Sequence, residues 1–209
     1  VENFFSTGYG MPSFTLLGDD VIRYVTAGAK ASGRIPPGYL DHEYVHGWFG
    51  NGLFVDPNDG NWCEGATTYY SNYLAKELES AAAGVEHRRG VLEKYAIRIT
   101  PENDYPVRAF ATKTEDTDND VGYGKASMVF HVLRRRLGDV EFFARVKRLA
   151  QDRVGTYVSW DDWLRVLDGA WATPYLARKG LPLVRLASAT AWPAADGTWH
   201  VRAEAVVDQ

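Results

Sequence analysis

A mainly helical α+β fold, with a small sheet near the start of the chain and a pair of strands at its end, is predicted from three observations. Apolar residues recur at helical spacing through five stretches between residues 63 and 170. Near the front, "SFTLLG" is a short apolar and β-branched run set off by Gly and Pro, which suits a strand. After residue 172 the pattern changes, and "GLPLVRLASATAW" and "GTWHVRAEAVVDQ" read as two strands separated by the turn-rich "PAADG".

Taken in order, the strand at Ser13–Gly18 is followed by "IPPGYLDHEYVHGWFG", where two prolines fit the opening of a helix better than its interior. "NGLFVDPNDGN" reads as a loop leading into "WCEGATTYYSNYLAKELES", helical through Leu78. A further helix is predicted over Val85–Ile99, then an irregular surface connection from Thr100 to Asp120. Three amphipathic helices follow in "GYGKASMVFHVLRRRLG", "DVEFFARVKRLAQDRV" and "SWDDWLRVLDGA"; Ser159 is the expected N-cap of the last, with Asp162 in its first turn. Two isolated strands bury little, so the tail is expected to lean on the helical part or to open a further β domain.

The 209 residues are 45% hydrophobic and 24% charged with no low-complexity tract, the composition of a folded domain. A net charge of -4 supplies no global attraction to nucleic acid or to an anionic membrane, so nucleic-acid binding is not expected and function must rest on a site. The basic run "LRRRLGD" reads as the solvated face of a helix, and "DTDNDVG" as a solvated acidic loop, because Val121 and Ser127 stand where a calcium loop needs its glycine and closing glutamate. Cys63 is the one cysteine, which excludes an internal disulfide and a cysteine cluster for zinc; with no basic neighbour in sequence it reads as a small buried hydrophobe. No apolar run reaches transmembrane length. The compartment stays open between cytoplasm and export, and the start at Val1 is read as that of a piece of a larger protein with other domains.

The chemistry concentrates in "DHEYVHGWFGN". On a helix spanning 39–49, His42 and His46 lie one above the other, so both imidazoles can reach one metal ion. Glu43 sits about 100° around the axis from His42. There a carboxylate can take a proton from a water activated by the metal, which is the mechanics of His-Glu-x-x-His. A catalytic zinc needs a third ligand, and Glu64 in "NWCEGATTYY", separated from His46 by seventeen residues, answers that need. Thr67 or Thr68, one turn on, is placed to orient a ligand. The aromatics of "GWFGN" are expected to bury the back of the site. His87, His131 and His200 lack partners at ligand spacing, which leaves them surface or core roles.

"HEYVHGWFGN" followed by "GNWCEGATTYY" resembles the zinc signature of the gluzincin metallopeptidases, in particular those similar to aminopeptidase N and leukotriene hydrolase. The gap before Glu64 is one residue shorter than that family's. The resemblance extends from about Tyr9 to about Leu183 and implies a zincin, thermolysin-like catalytic domain over 1–175, with 176–209 as the first strands of a truncated β domain. It implies Zn2+ as cofactor, peptides as substrates, His42, His46 and Glu64 as metal ligands, and Glu43 as general base. In "VGYGKASMVFHVL", Tyr123 and Lys125 match the family's Tyr-x-Lys-Gly, with Ala126 in the glycine's place, and Tyr123 takes the role of oxyanion donor. Where the family carries Gly-x-Met-Glu-Asn, this chain has "YGMPSF": Met11 is kept, but Pro12 and Ser13 replace Glu and Asn. Proline has neither an N–H nor a carboxylate. The exopeptidase character therefore stays open, with Asp19 or Asp20 as candidate substitutes for the lost charge. Two other classes stay open as well: a non-peptidase zinc hydrolase of the epoxide-opening kind, and a binding module that holds metal without turnover.

Overall fold

Residues 8–32, 38 and 40–208 are described in the computed structural model. The predicted front strand is Thr15–Leu17 (β2), paired antiparallel with Gly8–Gly10 (β1). A helix not anticipated from the sequence follows, Asp19–Ser32 (α1), with Asp19 and Asp20 in its first turn and Lys30 in its last. Those charges complement the helix dipole. Val21, Ile22, Val25, Thr26 and Gly28, all poor helix formers, mask it in the sequence.

The helix expected over 39–49 is shorter, Leu40–Val45 (α2), and its predicted opening at Pro36 and Pro37 lies outside the described residues. The backbone N–H of His46 still reaches the His42 carbonyl at 3.2 Å, so the one-turn spacing of the histidines survives past the helix end. Within the stretch read as a loop, Phe54–Val55 (β3) pairs in parallel with Tyr157–Val158 (β4), a contact across a hundred residues that local pattern does not announce.

Helix then runs from Cys63 to Glu79 with one interruption in its winding: Cys63–Thr68 (α3) passes through a π-helical turn, Tyr69–Tyr73, into Leu74–Glu79 (α4). Ser80 accepts from the Ala83 N–H and caps Ala81–Arg98 (α5), starting it earlier than predicted. The expected irregular connection holds a short 3-10 turn, Val107–Ala109. A second π-helical segment, Asn119–Lys125, leads directly into Ala126–Leu137 (α6), which ends at Gly138 before Asp139–Arg153 (α7). Ser159 and Asp162 form a reciprocal capping box on Trp160–Val166 (α8), as their spacing predicts. A 3-10 turn, Ala170–Ala172, and Thr173–Ala177 (α9), with Pro174 at its front, complete the helical part.

Two of the polar stretches are not solvated as expected. Arg134 of the basic run is buried, forked onto Asp139 by two bonds of 2.9 Å, bonded to Glu77, and 3.3 Å from the Tyr69 hydroxyl, because α6 packs that side of its turn inward; Arg135 and Arg136 do face solvent. In the acidic stretch, Asp118 is buried and accepts from the Thr114 and Glu115 backbone N–H groups and from the Tyr105 hydroxyl, and buried Asp120 meets Arg98 at 3.2 Å. Both carboxylates thereby fix the start of the Asn119–Lys125 segment. The core behind is aromatic: Trp62 and Trp163 ring centres lie 5.3 Å apart, Phe130 meets Trp163 at 5.2 Å, and the Trp62 indole N–H donates to the Val158 carbonyl at 2.6 Å.

The chain divides into two compact units, Val1–Arg178 and Lys179–Gln209. The second is a hairpin of Leu183–Pro193 (β5) and Trp199–Asp208 (β6), antiparallel with a register irregularity between Leu186 and Ser188. Its turn is tied by Asp196, which accepts from the Thr198 N–H and hydroxyl at 3.0 and 2.6 Å, with Gly197 at a φ of +81°. No helix among the described residues is long and apolar enough to cross a membrane.

Candidate metal centre

Three side chains predicted as ligands converge. One ligand atom from each of His42, His46 and Glu64 lies within 4.8 Å of the others. Nε2 of His42 stands 3.2 Å, and Nε2 of His46 3.4 Å, from the same Glu64 oxygen, while the two rings meet edge-on at 4.8 Å.

Phe49 explains why the two segments meet. Its carbonyl accepts from His46 Nδ1 at 2.9 Å, and its ring enters the core beside Trp62 at 6.2 Å and Tyr70 at 5.0 Å. Trp62 directly precedes Cys63 and Glu64 at the opening of α3, so one buried aromatic pair holds both ligand-bearing segments. The expectation that the aromatics of "GWFGN" back the site holds for Phe49 and fails for Trp48, which is 51% exposed and meets Tyr44 edge-on.

The outer nitrogens are also occupied. His42 Nδ1 faces Asn72 Oδ1 at 3.5 Å, and Thr67 Oγ1 lies 3.3 Å from His46 Nδ1. Asn72 is set by Ser71, whose hydroxyl donates to Asn72 Oδ1 at 2.8 Å, and by its own amide bond to the Gly38 carbonyl at 3.0 Å. With acceptors outside, each imidazole turns Nε2 inward, the tautomer and aim of a metal-ligating histidine. The donor set of two imidazoles and one carboxylate therefore fits zinc. Asn72 was not legible in sequence; its only signal is a polar residue two turns beyond Glu64, and the π-helical turn that aims it has no sequence mark.

Electrostatics follow from this closeness. Burial opposes the charge on Glu64, but the hydrogen bonds from His42 and His46 bring its pKa down to about 2. Burial likewise opposes the His46 imidazolium, yet the Cys63 and Glu64 side chains carry its pKa up to about 11. Since burial pushes the Cys63 thiol up, the standing negative charge beside His46 is Glu64. Cys63 does have a basic neighbour after all, supplied from the α2 turn and not from its own segment.

Glu43, 8% exposed, lies against β1. The Gly10 N–H donates to its carboxylate, and a Cβ on Gly8 would stand 2.8 Å from Glu43 Oε1. A Cβ on Gly10 would meet the Glu43 carbonyl oxygen, so both glycines of "GYG" are required by the approach of strand to helix. Asn51, whose role the sequence did not reveal, donates to the Gly10 carbonyl at 2.8 Å and locks that strand to the loop after His46. Burial raises the Glu43 pKa against the lowering influence of both histidines. Tyr123 stacks near His42 at 6.0 Å and hydrogen-bonds Glu64. Burial, reinforced by the Glu64 charge, pushes its phenol far up, so it is a donor at neutral pH. The helices carrying Glu64 and Tyr123 cross at Gly65, where a Cβ would stand 2.5 Å from the Cβ of Ala126. All five predicted residues line one cavity of about 960 Å³. Asp19 and Asp20 do not line it; both lie within 4.0 Å of Arg23. His87 lines the cavity's far side, His131 packs edge-on against Tyr73 at 4.9 Å, and His200 stacks on Trp192 at 5.6 Å.

No protein-family model matches the chain, and no curated protein does. Solved structures do. An M1 zinc metallopeptidase mutant from Deinococcus radiodurans matches with a TM-score of 0.60 at 18% identity, covering 84% of this chain and 41% of that one. The fold is shared with M1 zinc metallopeptidases. A mutant of such an enzyme from the same organism, bound to a Tyr-Ser-Ala substrate, matches with a TM-score of 0.54 at 24% identity over 69% of this chain and 34% of that one. A two-domain M1 enzyme bound to L-tryptophan gives 0.59 at 23% identity over 72% and 35%. The chain thus spans about a third to two-fifths of the length of the structures it matches.

Proposed function

We propose that the chain carries the zinc site of a metallopeptidase and hydrolyses peptide bonds. The observation that carries this reading is the convergence of the inward Nε2 atoms of His42 and His46 on the Glu64 carboxylate, with Glu43 and Tyr123 on the same cavity. His42, His46 and Glu64 would hold the ion, and zinc bound there supplies a Lewis acid that polarises the scissile carbonyl and brings the pKa of water toward neutrality. Glu43, desolvated against β1, accepts the proton of the attacking water and returns it to the leaving amine. The Tyr123 hydroxyl donates to the developing oxyanion, worth about 3 kcal/mol by comparison with other oxyanion donors. Asn72, Thr67 and the Phe49 carbonyl hold the imidazoles in the required orientation.

The aminopeptidase ancestry belongs to this reading, and Pro12 and Ser13 leave the amino-terminal grip to be measured by comparing free-amino and N-blocked peptides. Elemental analysis should find one zinc per chain, lost in His46→Ala. Glu43→Gln should keep the zinc and lower hydrolysis by about 10²–10⁴-fold. Stoichiometric zinc in His46→Ala, or full hydrolysis in Glu43→Gln, sinks the assignment.

A further inference from the structure

The cavity extends well beyond the candidate ligands. One face of α5 forms its far wall: His87, Val91, Lys94 and Arg98 follow one another at steps of four, three and four, the spacing of a single helical stripe, and all line the cavity that holds His42 and Tyr123. Lys113 joins them from the connection before Asn119. Apart from Glu43 and Glu64, the lining carboxylates among the described residues reduce to Asp120. Three cations therefore face one acid on this wall.

That acid does not exhaust them. Asp120 Oδ2 lies 3.2 Å from Arg98 Nε but off the line of a hydrogen bond. It steadies one edge of the guanidinium and leaves the terminal nitrogens, which make no hydrogen bond among the described residues, available to the cavity. Lys94 forms no ion pair among the described residues, and Lys113 has only a loose exposed contact with Asp116 at 3.7 Å. An arginine fork with a lysine one turn away is a carboxylate-binding arrangement. Asp120, which meets Arg98, and Tyr123 share one π-helical segment and stand on the order of 5 Å apart along its axis. An extended peptide advances about 3.3–3.6 Å per residue, so one or two residues of substrate span that offset.

We propose that the Lys94–Arg98 face of α5 is a carboxylate subsite, selecting peptides that carry an anionic group one or two residues past the cleaved bond, either a free C-terminus or an acidic side chain. The identity of the ligand as a peptide rests on the metallopeptidase reading; the anion preference rests on α5.

The test uses three short peptides: a free acid, the C-terminal amide of the same sequence, and that amide with glutamate substituted as the residue after the cleaved bond. Calorimetric affinities are measured on the zinc-loaded chain carrying Glu43→Gln, and hydrolysis on the zinc-loaded native chain. The free acid or the glutamate amide should bind about tenfold more tightly than the plain amide. Which of the two gains names the source of the carboxylate. Adding Lys94→Glu should bring that ratio to about one. Arg98→Gln, checked for folding because Asp120 loses its partner, should do the same. Equal affinities for all three peptides, or a ratio untouched by Lys94→Glu, overturn the subsite and leave hydrolysis of the plain amide intact. If no peptide is cleaved but the ratio and its loss are both observed, the subsite stands and the peptidase reading falls.

Discussion

Trp62 and Trp192 mark the contrast between the two units of this chain. Trp62 is fully buried, packed on Phe49 and Trp163 and hydrogen-bonded through its indole. Trp192 is 47% exposed on a hairpin whose strand β5 has no buried residue, and its ring contact is to His200 across the strands. The first unit uses its aromatics as a rigid platform on which polar groups are aimed; the second holds itself by backbone ladder and cross-strand pairs. Desolvation, which raises the pKa of Glu43 and Tyr123 and opposes the charge that the histidines hold on Glu64, exists only where a core stands behind these groups.

The largest effect that would break this comparison is in the core. Trp62→Ala should cost about 3–5 kcal/mol in chemical denaturation, and zinc affinity should fall with it because Phe49 and the start of α3 lose their common support. Trp192→Ala should cost about 0.2–1 kcal/mol and leave zinc binding unchanged. Equal costs would mean that the hairpin is no less packed than the helical unit.

Gly65→Ala comes next. Its new methyl would stand 2.5 Å from the Cβ of Ala126, and overpacking of that kind costs about 1–3 kcal/mol. Because this crossing sets Glu64 against Tyr123, hydrolysis should drop by more than the melting shift alone explains. A variant with normal melting and unaltered turnover would show that the crossing does not position the pair.

The smallest effect sharpens the electrostatic side. In the metal-free chain His46, raised from its ordinary 6.5 to about 11, contributes stability that is complete below pH 6.5 and lost as pH climbs through 11. Glu64, lowered from 4.5 to about 2, contributes stability that is complete above pH 4.5 and lost as pH falls through 2. Both contributions are whole between pH 4.5 and 6.5. Zinc must displace the His46 proton at neutral pH, so calorimetry in buffers of different ionisation enthalpy should record about one proton released per ion and an affinity that grows with pH. A pH-independent uptake would place His46 outside the ligand set.

What the sequence disclosed was what depends on neighbours in the chain. His42, Glu43 and His46 are legible because helical periodicity alone stacks i and i+4, and the Ser159–Asp162 box because capping is local. Glu64 needed only a helix start at a plausible loop distance. The helix α1 stayed hidden because β-branched residues and Gly28 contradict its amphipathic charge pattern. Arg134, Asp118 and Asp120 read as solvent-facing because a charge run carries no sign of the partner that will bury it, here Glu77, Tyr105 and Arg98 from elsewhere in the fold. Trp48 erred the other way, since nothing in "GWFGN" distinguishes the ring that enters the core from the one that does not.

The π-helical turns at Tyr69–Tyr73 and Asn119–Lys125 have a consequence for how such a site can drift over time. Each is a spare residue wound into an otherwise regular rod, and dropping it would rotate everything downstream by about 100° without breaking the rod. A one-codon deletion in the first would swing Asn72 off His42 while Glu64 kept its place; one in the second, ahead of Tyr123, would retune the phenol against its neighbours. Changes of length, more than changes of letter, are therefore the abrupt route by which this architecture can gain or lose its chemistry.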